Sequence, residues 1–113
     1  MGSLPVYEMN TSLIEGYPYR IMNAARRHTV LGPRLFVELA APWGNVVCKL
    51  PWGMLNLFTD HQIQLINRYR LSLNFAYFGD TRSGNPLVGV RHVTQPMPTW
   101  EEMEAVGALP LPI

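Results

Sequence analysis

The chain has 113 residues, 48% of them hydrophobic, with nine Arg and Lys, eight Asp and Glu, and a formal net charge of +1. That length holds one domain whose core needs no metal or disulfide staple; one cysteine, Cys48, excludes an intramolecular disulfide, and no Cys/His cluster has metal-ligand spacing. No apolar run approaches the ~20 residues that span a bilayer, and no basic start precedes a long apolar stretch. The expectation is a soluble, non-secreted chain of a reducing intracellular compartment, nuclear or cytoplasmic, with no cofactor and no membrane partner.

Residues 1–16, which include Pro5 and Gly16, show no sustained period and read as an N-terminal arm or an irregular strand. Tyr19 to Arg26 reads as a first strand, leading through Arg27-His28-Thr29 to a turn at Leu31-Gly32-Pro33. Its two faces mix apolar and polar residues, so its phase is weak. Arg34 to Leu39 then alternates cleanly, with Leu35, Val37 and Leu39 on one face and Arg34, Phe36 and Glu38 on the other. Pro42-Trp43-Gly44-Asn45 turns the chain into a third strand, Val46 to Leu50, which Pro51-Trp52-Gly53 stops.

Thr59-Asp60-His61-Gln62 fits a capping box that opens a short helix, with Ile63 and Ile66 on one face and Leu65 beside them. Leu71, Leu73, Phe75 and Tyr77 alternate with Ser72, Asn74, Ala76 and Phe78 as a fourth strand. Gly79 to Pro86 is the strongest loop signal, and Leu87 to Val93 a fifth strand with Val88 and Val90 inward. From Gln95 the composition becomes that of a tail. There Thr99-Trp100-Glu101-Glu102 repeats the capping-box pattern, and the end is apolar and broken by prolines. The domain reading is therefore an arm at 1–16, a folded body at 17–95 and an acidic, apolar tail at 96–113. The expected fold class is mainly β: a five-stranded OB-fold Greek-key barrel with one short helix between strands three and four, and a tail with a short helix.

The charges are sorted along the chain. All nine basic residues lie between Arg20 and Arg91 against three acids, Glu38, Asp60 and Asp80, a net +6, while Glu8, Glu15, Glu101, Glu102 and Glu104 lie outside. A basic body with acidic ends fits an anionic partner, with the ends as internal competitors. The plainer alternative is an ordinary solvated surface.

Single-stranded nucleic acid is held by a basic groove along the phosphates and by aromatic faces on which bases stack. Both kinds of residue occur in the expected binding segments. Arg26, Arg27, His28 and Arg34 crowd the loop between strands one and two; Phe36 lies on the outward face of strand two; Trp43, Lys49 and Trp52 border strand three. Across the barrel mouth Phe78 precedes the loop carrying Arg82, and Arg91 lies on strand five. Tyr77 has the phase of a core residue, Phe58 and Tyr69 suit the helix entrance and exit, and Trp43 and Trp52 serve equally well as clamps between turns. Catalysis is not expected. The histidines His28, His61 and His92 are scattered, and no nucleophile elbow, phosphate-cradling Gly-rich loop or paired acid site is present.

The segment order, the Arg27-His28-Thr29-x-x-Gly32-Pro33 turn and the Leu57-Phe58-Thr59-Asp60 helix opening resemble OB-fold single-strand-binding proteins, including small ones encoded by viruses and mobile elements, over residues 17–93. The resemblance implies a non-catalytic protein that binds single-stranded DNA or RNA with little sequence preference. The tail is loosely similar to the acidic, partner-recruiting tail of bacterial single-strand-binding proteins, which implies a protein partner. The rival expectation is an interaction or scaffold module in which exposed aromatics dock another chain or a second copy; oligosaccharide binding would use the same aromatics with less need for the basic cluster.

Overall fold

Alternating apolar residues build one mainly β sheet in the computed structural model, which describes residues 4–99 and 101–102. Its elements are β1 (Val6–Glu8), α1 (Met9–Ser12), β2 (Tyr19–Thr29), β3 (Gly32–Ala41), β4 (Gly44–Lys49), a 3-10 turn (Trp52–Met54), α2 (Asp60–Asn67), β5 (Leu73–Asp80) and β6 (Pro86–His92). The strands lie in the order β1-β4-β3-β2-β5-β6. Every pairing is antiparallel except that of β1 with β4.

Six strands stand where five were expected. The added strand lies in the arm: Val6, Tyr7 and Glu8 pair with Val47, Cys48 and Lys49, and the Val47 N–H donates to the Pro5 carbonyl at 2.9 Å. Three residues are too few to show a period of two, which is why the segment reads from sequence only as an arm or an irregular strand. Farther along, Met9 and Leu13 are buried in the main core, and the Gly16 N–H donates to the Tyr77 carbonyl at 2.8 Å.

β2 runs farther than expected. It pairs with β3 as far as Thr29 opposite Gly32, so Arg26, Arg27 and His28 lie within a strand and only Val30 and Leu31 form the loop. Thr29 tightens that turn, its hydroxyl donating to the Gly32 carbonyl at 2.7 Å and accepting from the Leu31 N–H at 3.3 Å. A bulge between Ile21 and Asn23 shifts the phase of β2. Ile21 and Ala24, three residues apart, both enter the core, so the strand has no single alternating pattern.

β2 pairs with β5 only at Tyr19 opposite Phe75 and Arg20 opposite Asn74. Past that point its second edge needs other partners, because buried backbone groups left unpaired are costly. The C-terminal residue of α2 supplies them. The Ala24 N–H donates to Asn67 Oδ1 at 2.8 Å, and Asn67 Nδ2 donates to the Ala24 carbonyl at 2.9 Å. The expected capping box opens α2: Thr59 Oγ1 accepts from the Gln62 N–H at 3.1 Å, and Gln62 Oε1 from the Thr59 N–H at 2.8 Å. Tyr69, at φ 58°, ends it in a Schellman arrangement, with the Arg70 N–H on the Leu65 carbonyl and the Tyr69 N–H on that of Ile66; its side chain is exposed.

Tyr19, Leu35, Leu39, Phe58, Ile66, Leu73 and Phe75 centre the core, and Tyr77, Val88 and Val90 join it as expected. Phe78 does not face an open mouth. With Ala76, Leu87 and Met97 it forms a second cluster on the other side of β5 and β6, where Pro98 lies so close that a Cβ on Gly89 would sit 3.0 Å from both Pro98 Cγ and Phe78 Cε2. Of the tail, Glu101 and Glu102 are helical and the Glu102 N–H donates to Thr99 Oγ1 at 3.2 Å. The rest of the acidic, apolar tail, with its expected partner contacts, lies outside the described residues.

Asn67→Ala removes the side-chain donor to the Ala24 carbonyl and leaves the Ala24 N–H with the Asn23 Oδ1 contact at 3.0 Å, so it should lower stability by about 1–3 kcal/mol. The check is a shifted urea midpoint with an unchanged m-value.

Candidate functional site

Because Leu35, Val37 and Leu39 are buried, Arg34, Phe36 and Glu38 must project from the other face of β3. Residues paired across an antiparallel ladder share a face, which extends that surface onto both neighbours. Arg27 stands opposite Arg34; Ala25 and Lys49 flank Phe36; Asn23 and Val47 flank Glu38. Glu8, paired with Lys49 across the parallel edge, reaches its ammonium at 3.1 Å.

One end of this face is braced by Trp52. The Arg34 guanidinium carbon lies 4.4 Å from the indole centroid, and Arg34 Nε donates to the Leu50 carbonyl at 2.8 Å. Its terminal nitrogens make no hydrogen bond among the described residues. The same indole packs against Gly32, whose φ of +123° disfavours any side chain. Trp52 is thus a clamp beneath the β2–β3 turn and still 44% exposed. Trp43, 54% exposed, donates from Nε1 to the Tyr7 hydroxyl at 3.1 Å. It sits in the β3–β4 turn, at the other end of β3 from Gly32 and Trp52.

A pocket of about 250 Å³ opens beside Trp52, where Arg34, Lys49 and Pro51 meet Glu8 and Met9 of the arm and Asp80, Gly84 and Pro86 of the β5–β6 hairpin. It gathers three residues nominated from sequence, Arg34, Lys49 and Trp52, and Arg27 and Phe36 adjoin it through their ladder partners. Arg82 is exposed in the loop that carries Gly84.

Arg26 is placed elsewhere. Opposite the buried Leu35, it takes the inward phase and is tied to the entrance of α2, donating to the Asp60 carboxylate and to the Phe58 carbonyl, and through Nε to the Leu55 carbonyl at 3.0 Å. His28 shares that phase and is exposed opposite Pro33. Arg91 lies on the far side of the sheet, opposite Asn74, with Nη1 donating to the Val90 carbonyl at 2.9 Å. Glu8, Met9 and Asp80 were missed, since nothing local in the sequence shows that the arm and the β5–β6 hairpin converge on β4.

Asp80 Oδ1 accepts from the Tyr77 hydroxyl at 2.6 Å; burial first, then that bond and the nearby Asp80 and Glu15 charges, raise the phenol above its usual value. Burial, reinforced by Glu8, pushes the Cys48 thiol up to about 12. Neither group is prepared for nucleophilic work at neutral pH. Among the described residues no group of three or more His, Cys, Asp or Glu could hold a metal ion, and no helix is long and apolar enough to cross a membrane. No family model matches this chain, and no curated protein or solved structure matches it.

Cys48 should resist thiol reagents in the native protein and react at the rate of unfolding. As pH rises past the ordinary thiol value of 9.0, the unfolded chain loses a proton that the folded chain holds until about 12. Stability should therefore be full below that window and fall through it, and Cys48→Ala should remove part of the slope. Urea midpoints across alkaline pH check the sign.

Proposed function

We propose that this protein binds single-stranded nucleic acid, without catalysis, on the outward face of β3 and β4 of an OB-type barrel. The order β4-β3-β2-β5-β6 of the five longer strands and the helix before β5 support the barrel reading, with β1 lying along the free edge of β4. OB barrels bind on their second and third strands and on the loops at either side. Here those strands are β3 and β4, flanked by the β5–β6 loop.

The observation that carries the reading is one contiguous surface holding Arg27, Arg34, Lys49, Phe36 and Trp52. Cations neutralise phosphates, and aromatic faces stack bases whatever their sequence. Arg34 on the indole combines the two. Arg27 is exposed and makes no ion pair among the described residues. Glu8 acts against the polyanion by neutralising Lys49, which gives the acidic N-terminal side a place in the binding equilibrium.

Anisotropy of a labelled oligothymidine against salt tests this. Binding should weaken steeply with salt and prefer single strands to duplex; no binding at low salt would sink the reading. Arg27→Gln should flatten the slope of log K against log salt by about 0.7, and Phe36→Ala should cost about 1–3 kcal/mol with little change of slope. Glu8→Gln releases a cation, so it should tighten binding several-fold at low salt and steepen the slope.

A further inference from the structure

We infer that the β2–β3 turn is a wedge that enters the base stack where single-stranded nucleic acid meets duplex. The inference rests on the binding reading above and adds local strand opening to it. Two-residue hairpin turns ordinarily carry Asn, Asp or Gly. Here the two positions are Val30 and Leu31, fully exposed and 82% exposed. Among the described residues neither has a packing partner that would account for an aliphatic side chain at a turn.

The tip is stiff, as a wedge must be. The ladder continues to its last pair, the Thr29 hydroxyl bonds both the Leu31 N–H and the Gly32 carbonyl, and the Trp52 ring lies against Gly32. Its surroundings select the occupant. Arg27 and His28 precede it and Arg34 follows, while no acid occurs anywhere between Glu15 and Glu38. An apolar tip with a cationic base is complementary to a polyanion that contains apolar faces. Aliphatic side chains inserted at a base step unstack it. The tip is also continuous with the stacking surface, since the indole beneath Gly32 carries Arg34 on its other contact.

The test places 2-aminopurine at the first paired position of a forked duplex and adds the full chain or the double variant Val30→Ser, Leu31→Ser. The wild type should raise the fluorescence several-fold and the variant should leave it flat, with equal thermal midpoints and oligothymidine affinities within about twofold, because both side chains are exposed. An equal rise with both proteins, or an oligothymidine affinity that falls in proportion, would overturn the wedge. Wild-type binding to oligothymidine without any rise at the fork overturns the wedge alone, whereas no binding to either overturns the binding reading itself. Capture by anionic vesicles that the double variant abolishes, with a flat signal at the fork, would assign the tip to a lipid surface instead.

Discussion

β2 is shared between two halves of the sheet, and the geometry of the molecule follows from how its second edge is bonded. Its eleven residues lie along β3 for almost their whole length, yet β5 stays with it for only two pairs. Where two neighbouring strands of a curled sheet part, amides and carbonyls are left that need partners. The Asn67 amide takes those of Ala24, and Arg26 ties the far end of β2 to the start of α2 through two carbonyls and Asp60. The helix is therefore polar glue for an open edge as well as a lid for the core. The bulge before Asn23 sets which β2 side chains face inward, and so fixes Arg26 within the fold and Arg27 outside it.

The same edge problem recurs on β4, where the arm provides the answer. β1 covers part of that edge and brings Glu8 onto Lys49. An edge strand of three residues that carries a charge protects against unwanted pairing. The result is a surface on which cations and acids are interleaved: Lys49 is paired, while among the described residues Arg27 makes no ion pair and the terminal nitrogens of Arg34 make no hydrogen bond. Of the five acids that flank the basic body in sequence, Glu8 thus opposes a base directly, across the parallel ladder.

Much of the body was legible because its signals are local. The alternation of Arg34 to Leu39, the Thr59 capping box and the inward phase of Val88 and Val90 each depend on a few neighbouring residues, and each is found. What escaped depends on distant contacts. A three-residue strand has no period, the bulge hides the phase of β2, and the burial of Phe78 depends on Met97 and Pro98 crossing the outer side of β5 and β6. The candidate surface divides in the same way. Phe36 could be placed from alternation alone, but the joint position of Trp52 beneath Gly32 and beside Arg34 could not.

Arg26 and Arg27 show why counting cations overstates an interface. As sequence they form a single basic cluster; in a strand, neighbours point to opposite faces, so at most one of them can belong to an outward groove. Arg26 donates to the Leu55 and Phe58 carbonyls, so its loss would be felt as instability. Arg20, bonded to Ser72 at 2.8 Å, and Arg91, bonded to its own strand, stand on the far part of the sheet. A net charge of +6 over the body therefore reduces to a smaller cationic surface around β3, on which the Trp52 ring lies against the Arg34 guanidinium.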